Sequence, residues 1–267
     1  MYLIVKRFSV VLGLTAVLAL GHAAHAQNKD YTPSVGQEGK DVIWVPTPNE
    51  LINKMLDMAK LTPNDVHFDL GSGDGRTVIA AAKRGTKSVG VEYNPDMVAL
   101  SKRAATKESA AVAARTEFIR GDIFETNFSH ANVLTLYLLP SLNLKLRPTI
   151  LDMKPGTRVV SHAFTMGEWE ADQTENVEGR TAYLWIVPAK VHGNWKIEGG
   201  GDVTFNQTFQ KLEGMVGGKA ITNASVRGDT VAFSVDGRDY SGKVSGERIE
   251  GSVKGSMSGK WSALRAR

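Results

Sequence analysis

Asp69-Leu70-Gly71-Ser72-Gly73-Asp74-Gly75-Arg76 stands between a short strand-like stretch, Asp65 to Phe68, and the helix-forming run Thr77 to Ala82. The order reads strand, glycine-rich turn, helix. Such a turn lets backbone approach a cofactor closely and aims a helix N-terminus at it. Glu92 closes the next strand-like run, 23 residues after Asp69, where an acidic side chain suits a ribose diol. The glycines are spaced G-x-G-x-G, and the third glycine of a dinucleotide fingerprint is replaced by Arg76. Asp69 and Asp74 flank the turn; they repel a pyrophosphate but accept a ligand carrying an ammonium and a sulfonium. No G-x-x-x-x-G-K-[ST] run occurs, which excludes a P-loop.

These residues resemble a known family. Asp69 to Gly75 is similar to motif I of class I S-adenosylmethionine-dependent methyltransferases, Val89-Gly90-Val91-Glu92-Tyr93-Asn94-Pro95 to their second-strand motif, and Phe118-Ile119-Arg120-Gly121-Asp122-Ile123 to their third-strand motif. The resemblance spans roughly residues 40 to 188. It is closest to the small lysine methyltransferases related to the mitochondrial ATP-synthase c-subunit enzyme, which share the D-L-G-S-G-D-G-R run and an upstream Val45-Pro46-Thr47-Pro48. It implies S-adenosyl-L-methionine as cofactor, held by Asp69, Gly71, Ser72, Gly73, Glu92 and Asp122, with Asp122 at the adenine amino group. It also implies that Val45 to Pro48 borders the cofactor or substrate mouth.

The elements that must position these residues follow from pattern. Thr47-Pro48-Asn49-Glu50 reads as a capping box with proline at the first helical position, followed by an apolar stripe through Leu51, Ile52, Met55, Leu56 and Ala59. Strands are expected at Asp65–Leu70, Ser88–Glu92, Thr116–Ile119, Val133–Leu138, Arg158–Ala163 and Tyr183–Val187. Helices are expected from Gly75 to Arg84, from Asn94-Pro95 onward, and as an irregular stretch from Leu142 to Met153, broken before by Pro140 and kinked or split by Pro148. The alternation predicts an α/β fold, a Rossmann-like, mostly parallel sheet with flanking helices. Asp69, Glu92, Asp122 and Tyr137 fall at or just beyond the carboxyl ends of its strands, where such sheets bind ligands. From Ala189 glycine becomes frequent and short alternating runs replace helical stripes. Asp236-Gly237 and Ser245-Gly246 are hairpin signals. Residues 189–267 are therefore expected to form a small antiparallel all-β sandwich or barrel, packing on the first unit or binding a substrate or partner.

The remaining boundaries concern the N-terminus. Lys6 and Arg7, the apolar run Ser9 to Leu20 and Ala24-His25-Ala26 read as a secretory signal peptide over residues 1–26. Gln27 to Gly39, polar with glycine and proline, reads as a flexible mature N-terminus; the methyltransferase domain is expected over 40–188. The mature chain is expected to be exported, to the periplasm. The alternative is an uncleaved inner-membrane anchor, the one membrane contact the sequence suggests. The chain has no cysteine, so disulfides, thiolate metal sites and cysteine nucleophiles are excluded. The histidines show no short metal-ligand spacing, and no metal is expected. The net charge of +4 loses two with residues 1–26, which makes no case for nucleic acid.

Leu136-Tyr137-Leu138-Leu139-Pro140 occupies the position of the Asn/Asp-Pro-Pro-Tyr of amide and amino-base methyltransferases. That departure counts against base or glutamine methylation and leaves Tyr137 as the polar candidate beside the methyl. The expected activity is methyl transfer from S-adenosylmethionine to a protein or small-molecule acceptor, with a protein lysine as the acceptor the resemblance implies. The alternative, motivated by the doubtful supply of a cytoplasmic cofactor outside the inner membrane, is a non-catalytic envelope binding protein that keeps the Rossmann-like unit and holds a partner on the β unit.

Overall fold

A computed structural model of the chain describes residues 31–256 and 258–266; the expected signal peptide lies outside them. The first sheet contains β1 (Val66–Leu70), β2 (Lys87–Glu92), β3 (Thr116–Arg120), β4 (Val133–Leu136), β5 (Arg158–His162), β6 (Gln173–Val177) and β7 (Arg180–Ile186). Its order is β3-β2-β1-β4-β5-β7-β6. The first five strands are parallel, and β7 runs antiparallel to both β5 and β6. Chain order reverses between β1 and β4, which opens a crevice beyond their carboxyl ends.

Alternation along β1 assigns its two faces. Phe68 and Leu70 join the core under Leu146 and Ile150 of α5 (Pro140–Leu151). His67 and Asp69 project to the other face. On that face α1 (Asn49–Met58) buries Leu51 and Met55 against Val133, Val160 and Leu184. Its Ile52 and Leu56 meet Ala81 of α2 (Arg76–Lys83). Of two further helices, α3 (Pro95–Thr106) packs on β3, and the single turn α4 (Ala110–Ala113) packs on α2 and α3. Asn94 caps α3 by accepting from the backbone N–H groups of Asp96 and Met97, with Pro95 at the first position, as its sequence predicts.

Four local expectations are corrected. Thr47 does not cap α1: the residue before that helix is Pro48, no side chain caps it, and the Thr47 hydroxyl lies 3.1 Å from His162 Nδ1. A tertiary partner has displaced the local one. Strand β4 ends at Leu136, because Tyr137 to Leu139 leave the sheet to enter α5. Pro140 starts that helix instead of breaking the chain, and Pro148 sits inside it without splitting it. The carbonyl that Pro148 leaves without an N–H is that of Leu144, which is exposed, so water can satisfy it. Strand β6 was not expected. It is the polar edge strand Gln-Thr-Glu-Asn-Val, joined to β7 through Glu178 and Gly179.

Residues 193–265 form the second sheet: β8 (Gly193–Ile197), β9 (Asp202–Thr208), β10 (Lys211–Val216), β11 (Lys219–Ala220), β12 (Thr222–Arg227), β13 (Thr230–Val235), β14 (Arg238–Ser245), β15 (Arg248–Gly255) and β16 (Gly259–Arg265). It is antiparallel throughout. The order β10-β12-β13-β14-β15-β16-β8-β9 returns to β10 through the β9–β10 pairing, so the sheet closes into a small barrel-like unit. Trp195, Phe205, Phe233 and Trp261 fill its interior. At the β13–β14 turn Asp236 and Gly237 both adopt positive φ, 54° and 70°, the geometry their sequence signals.

Candidate active site

The turn after β1 is held in shape by three glycines in left-handed conformations: φ is 81° at Gly71, 53° at Gly73 and 80° at Gly75. Space demands glycine as well. A Cβ on Gly73 would stand 2.7 Å from Trp44 Nε1, and one on Gly75 would stand 2.7 Å from the Phe118 ring. Glu92 braces the turn. One carboxylate oxygen accepts from Gly73 N–H and the other from Asn94 N–H, both at 2.9 Å. Asp74 is neutralised by Arg76, whose Nη2 lies 2.7 Å from its carboxylate. Arg76 also donates to the Thr47 carbonyl at 3.3 Å and so ties the turn to the segment before α1.

These residues line a cavity of about 670 Å³ at the β1–β4 crevice, a size suited to a small-molecule cofactor and part of an acceptor. Asp69, Gly71, Ser72, Gly73, Glu92, Asp122 and Tyr137 all border it, so the fold brings every predicted site residue to one place. Val45, Pro46 and Thr47 border it too.

Asp69 is 6% exposed, and its Oδ1 accepts from the Thr135 hydroxyl at 2.6 Å. Burial pushes its pKa up to about 7; Thr135 and Thr77 pull it down by hydrogen bonding, and the charges of Asp74 and Glu92 add to the rise. Asp122 is engaged differently. It pairs with the ammonium of Lys40 and accepts from Phe124 N–H at 2.9 Å. Lys40 holds its carboxyl below the usual range. Tyr137 stacks on His162 with ring centroids 3.8 Å apart and faces Phe164 at 6.1 Å. Burial lowers the His162 pKa to about 4, with Arg180 adding to the shift, so its ring is neutral at physiological pH.

Sequence reasoning missed the segment before Val45 and the ring of Phe164, which joins Tyr137 at the cavity. Residues 37–44 form a small hairpin, closed by Trp44 N–H to Gln37 O and Gly39 N–H to Val42 O, both 2.9 Å. The expectation for 27–39 was a flexible terminus. Lys40 of the hairpin reaches Asp122 and lies 4.7 Å over the Tyr93 ring, and Trp44 covers Gly73. Phe164 arrives from the β5–β6 loop. The one sequence signal for any of this was the Val45 to Pro48 run.

The site fits the cofactor the motifs imply. The Ser72 hydroxyl is buried without a hydrogen-bond partner at the cavity wall, the glycine cradle has no room for side chains, and Asp69 and Glu92 stand at adjacent strand ends. Among the described residues no cluster of His, Asp and Glu could hold a metal ion.

The switch-point crevice, the cradle and the paired acids define a class I S-adenosylmethionine-dependent methyltransferase. The ANTKMT methyltransferase domain family matches residues 69–173. A protein-lysine N-methyltransferase of Saccharolobus islandicus is 39% identical over 153 residues, 55% of this chain and 94% of that one. The ATP synthase c-subunit lysine N-methyltransferase of Xenopus laevis is 31% identical, over 60% of this chain and 71% of its own length. A solved structure described as an RNA methyltransferase from Salinibacter ruber, in complex with S-adenosyl-L-homocysteine, is 48% identical with a TM-score of 0.53. It covers 55% of this chain and 96% of its own. The chain belongs to this family of methyltransferases, and its cofactor is S-adenosylmethionine.

Proposed function

We propose that the chain methylates the ε-amine of a protein lysine. The observation that carries this is the cavity lining. Six carboxylates (Glu38, Asp41, Asp69, Asp74, Glu92, Asp122) stand against two cations, Lys40 and Arg76. That balance repels a phosphate backbone and attracts an ammonium. Tyr137 and Phe164 then supply an aromatic wall for the aliphatic stem of a lysine, as in cation recognition by aromatic faces. Beside the uncharged rings the ammonium gives its proton to solvent before it meets the methyl, leaving the neutral amine whose lone pair can attack. The Tyr137 hydroxyl is the polar group that orients the amine, and His162 and Phe164 fix its ring. Asp69 faces the cationic end of the cofactor, Gly71, Ser72 and Gly73 cradle it, Glu92 takes the ribose diol and Asp122 the adenine side. When bound, S-adenosylmethionine supplies a methyl already activated by its sulfonium, so alignment is the residues' main task. The lysine activity named for the Saccharolobus and Xenopus relatives supports the reading.

The reading extends to an exported, periplasmic chain whose β unit supports the catalytic unit. Lys6-Arg7, Ser9 to Leu20 and Ala24-His25-Ala26 support export, and a C-terminal reporter fusion decides the side of the membrane. The acceptor is tested by incubating purified residues 27–267 with isotopically labelled S-adenosylmethionine and, separately, envelope protein and total RNA. Label on lysine is expected; label in RNA and none in protein refutes the proposal.

A further inference from the structure

A buried polar chain leads away from the cofactor cavity beneath α1 and α2. Asp69 Oδ1 accepts from the Thr135 hydroxyl at 2.6 Å. Thr135 Oγ1 lies 2.8 Å from His67 Nε2, and His67 Nδ1 lies 2.6 Å from Ser88 Oγ. His67, Thr135 and Ser88 are fully buried. A threonine hydroxyl has one proton, and here it goes to the carboxylate. The contact with His67 therefore requires Nε2–H as donor and Thr135 Oγ1 as acceptor. Nδ1 must then accept, and Ser88 must donate. One carboxylate sets every proton direction along the chain.

We propose that His67 is a positioning residue for cofactor binding: its Nε2–H, donated to Thr135 Oγ1, holds that hydroxyl in the orientation in which it donates to Asp69, and so presents the carboxylate to the cationic end of the cofactor in one orientation. This rests on the reading of Asp69 as a cofactor-facing group. His67 does not border the cavity and touches no reactant. Burial lowers its pKa to about 3, against a small opposing effect of Asp65, so the ring stays neutral as the tautomer requires. Asp65 is itself paired with Arg158. The groups around Asp69 are Thr135 on β4, Thr77 on α2, Asp74 in the turn and Glu92 on β2.

The test measures S-adenosylmethionine affinity by titration calorimetry from pH 5.5 to 7.5 in the full mature protein and four variants, with circular dichroism confirming the fold. His67→Leu frees the Thr135 hydroxyl to rotate. It is expected to bind about tenfold more weakly, about 1.4 kcal/mol, and to lose affinity at a higher pH than the wild type, a shift that a purely structural role does not produce. His67→Gln keeps a donor for Thr135 and an acceptor for Ser88, and restores both values. Ser88→Ala removes the hydrogen bond that holds the His67 ring at Nδ1; affinity is expected to drop about threefold. Wild-type affinity and pH profile in folded His67→Leu, or no rescue by folded His67→Gln, overturns the proposal. Should His67→Leu not fold, an unchanged affinity in folded Ser88→Ala overturns it. Asp69→Asn separates the two levels: if it binds the cofactor as tightly as the wild type, the cofactor reading of Asp69 fails. If it binds weakly while the His67 variants bind normally, only the role of His67 fails.

Discussion

Cofactor binding should release a proton, and the structure sets how many and at what pH. Burial holds the Asp69 pKa near 7, against an ordinary value of 3.8. A cation beside it returns the carboxylate to the charged form. Below pH 7 the cofactor must first displace a proton, so its affinity falls about tenfold per pH unit. From pH 7.5 to 5.5 the loss is about 25-fold, roughly 1.9 kcal/mol. Titration in two buffers of different ionisation enthalpy should count about one proton released at pH 5.5 and about a quarter of one at pH 7.5. The sign for stability is the opposite. Between pH 4 and 7 the folded cofactor-free protein keeps a proton that the unfolded chain has released. Asp69 therefore lowers stability as pH rises through that window, and saturating cofactor cancels the loss. Asp69→Asn should abolish the pH dependence together with most of the affinity. A flat affinity profile with buffer-independent enthalpies, in a folded protein, refutes the link.

Three further outcomes follow from single contacts. Gly73→Ala combines a left-handed φ with a Cβ 2.7 Å from Trp44 Nε1. It should weaken S-adenosylmethionine binding at least tenfold by calorimetry while costing about 1 kcal/mol of stability. Tyr137→Phe keeps the stack on His162 and removes the hydroxyl. Labelled-methyl assays should show kcat down at least tenfold, less than the roughly 10²–10⁴-fold of a general acid or base because the hydroxyl only orients the amine, with cofactor affinity unchanged. Phe209, at the β9–β10 turn, stacks on Trp169 with centroids 6.1 Å apart and lies under the Arg147 guanidinium. Phe209→Ala should lower the unfolding free energy by about 2–3 kcal/mol in a denaturant titration.

The cradle and the sheet around it were legible because each rests on a short, local signal. Asp69 to Arg76 contains in eight residues both the glycines that the positive φ values demand and the acid next to the end of β1. Glu92 and Asp122 end β2 and follow β3, so chain order alone brings them to the same edge. Asp236-Gly237 marks its turn for the same reason. Edge strand β6 escaped notice because its polar residues pack on one side only and show no apolar alternation. That Pro148 does not split α5 was not legible, because its effect depends on the surroundings of the carbonyl it strands, and those are known only when α5 has a neighbour on one side and solvent on the other.

By itself, then, the sequence determined the local conformations: the left-handed glycines, the Asn94-Pro95 helix start, the strand–helix alternation and the change to hairpins after Ala189. Tertiary structure alone decided which partners those residues meet. Thr47 could cap α1 or bond His162, 115 positions away. Asp122 could stay solvated or take Lys40, 82 positions away. A histidine on β1 could be core filling or the middle of a polar chain to Asp69. The physical reason is common to all three: a polar side chain's energy depends on burial and on the donors and acceptors within about 3 Å, and strand pairing and helix packing bring those together from distant parts of the chain.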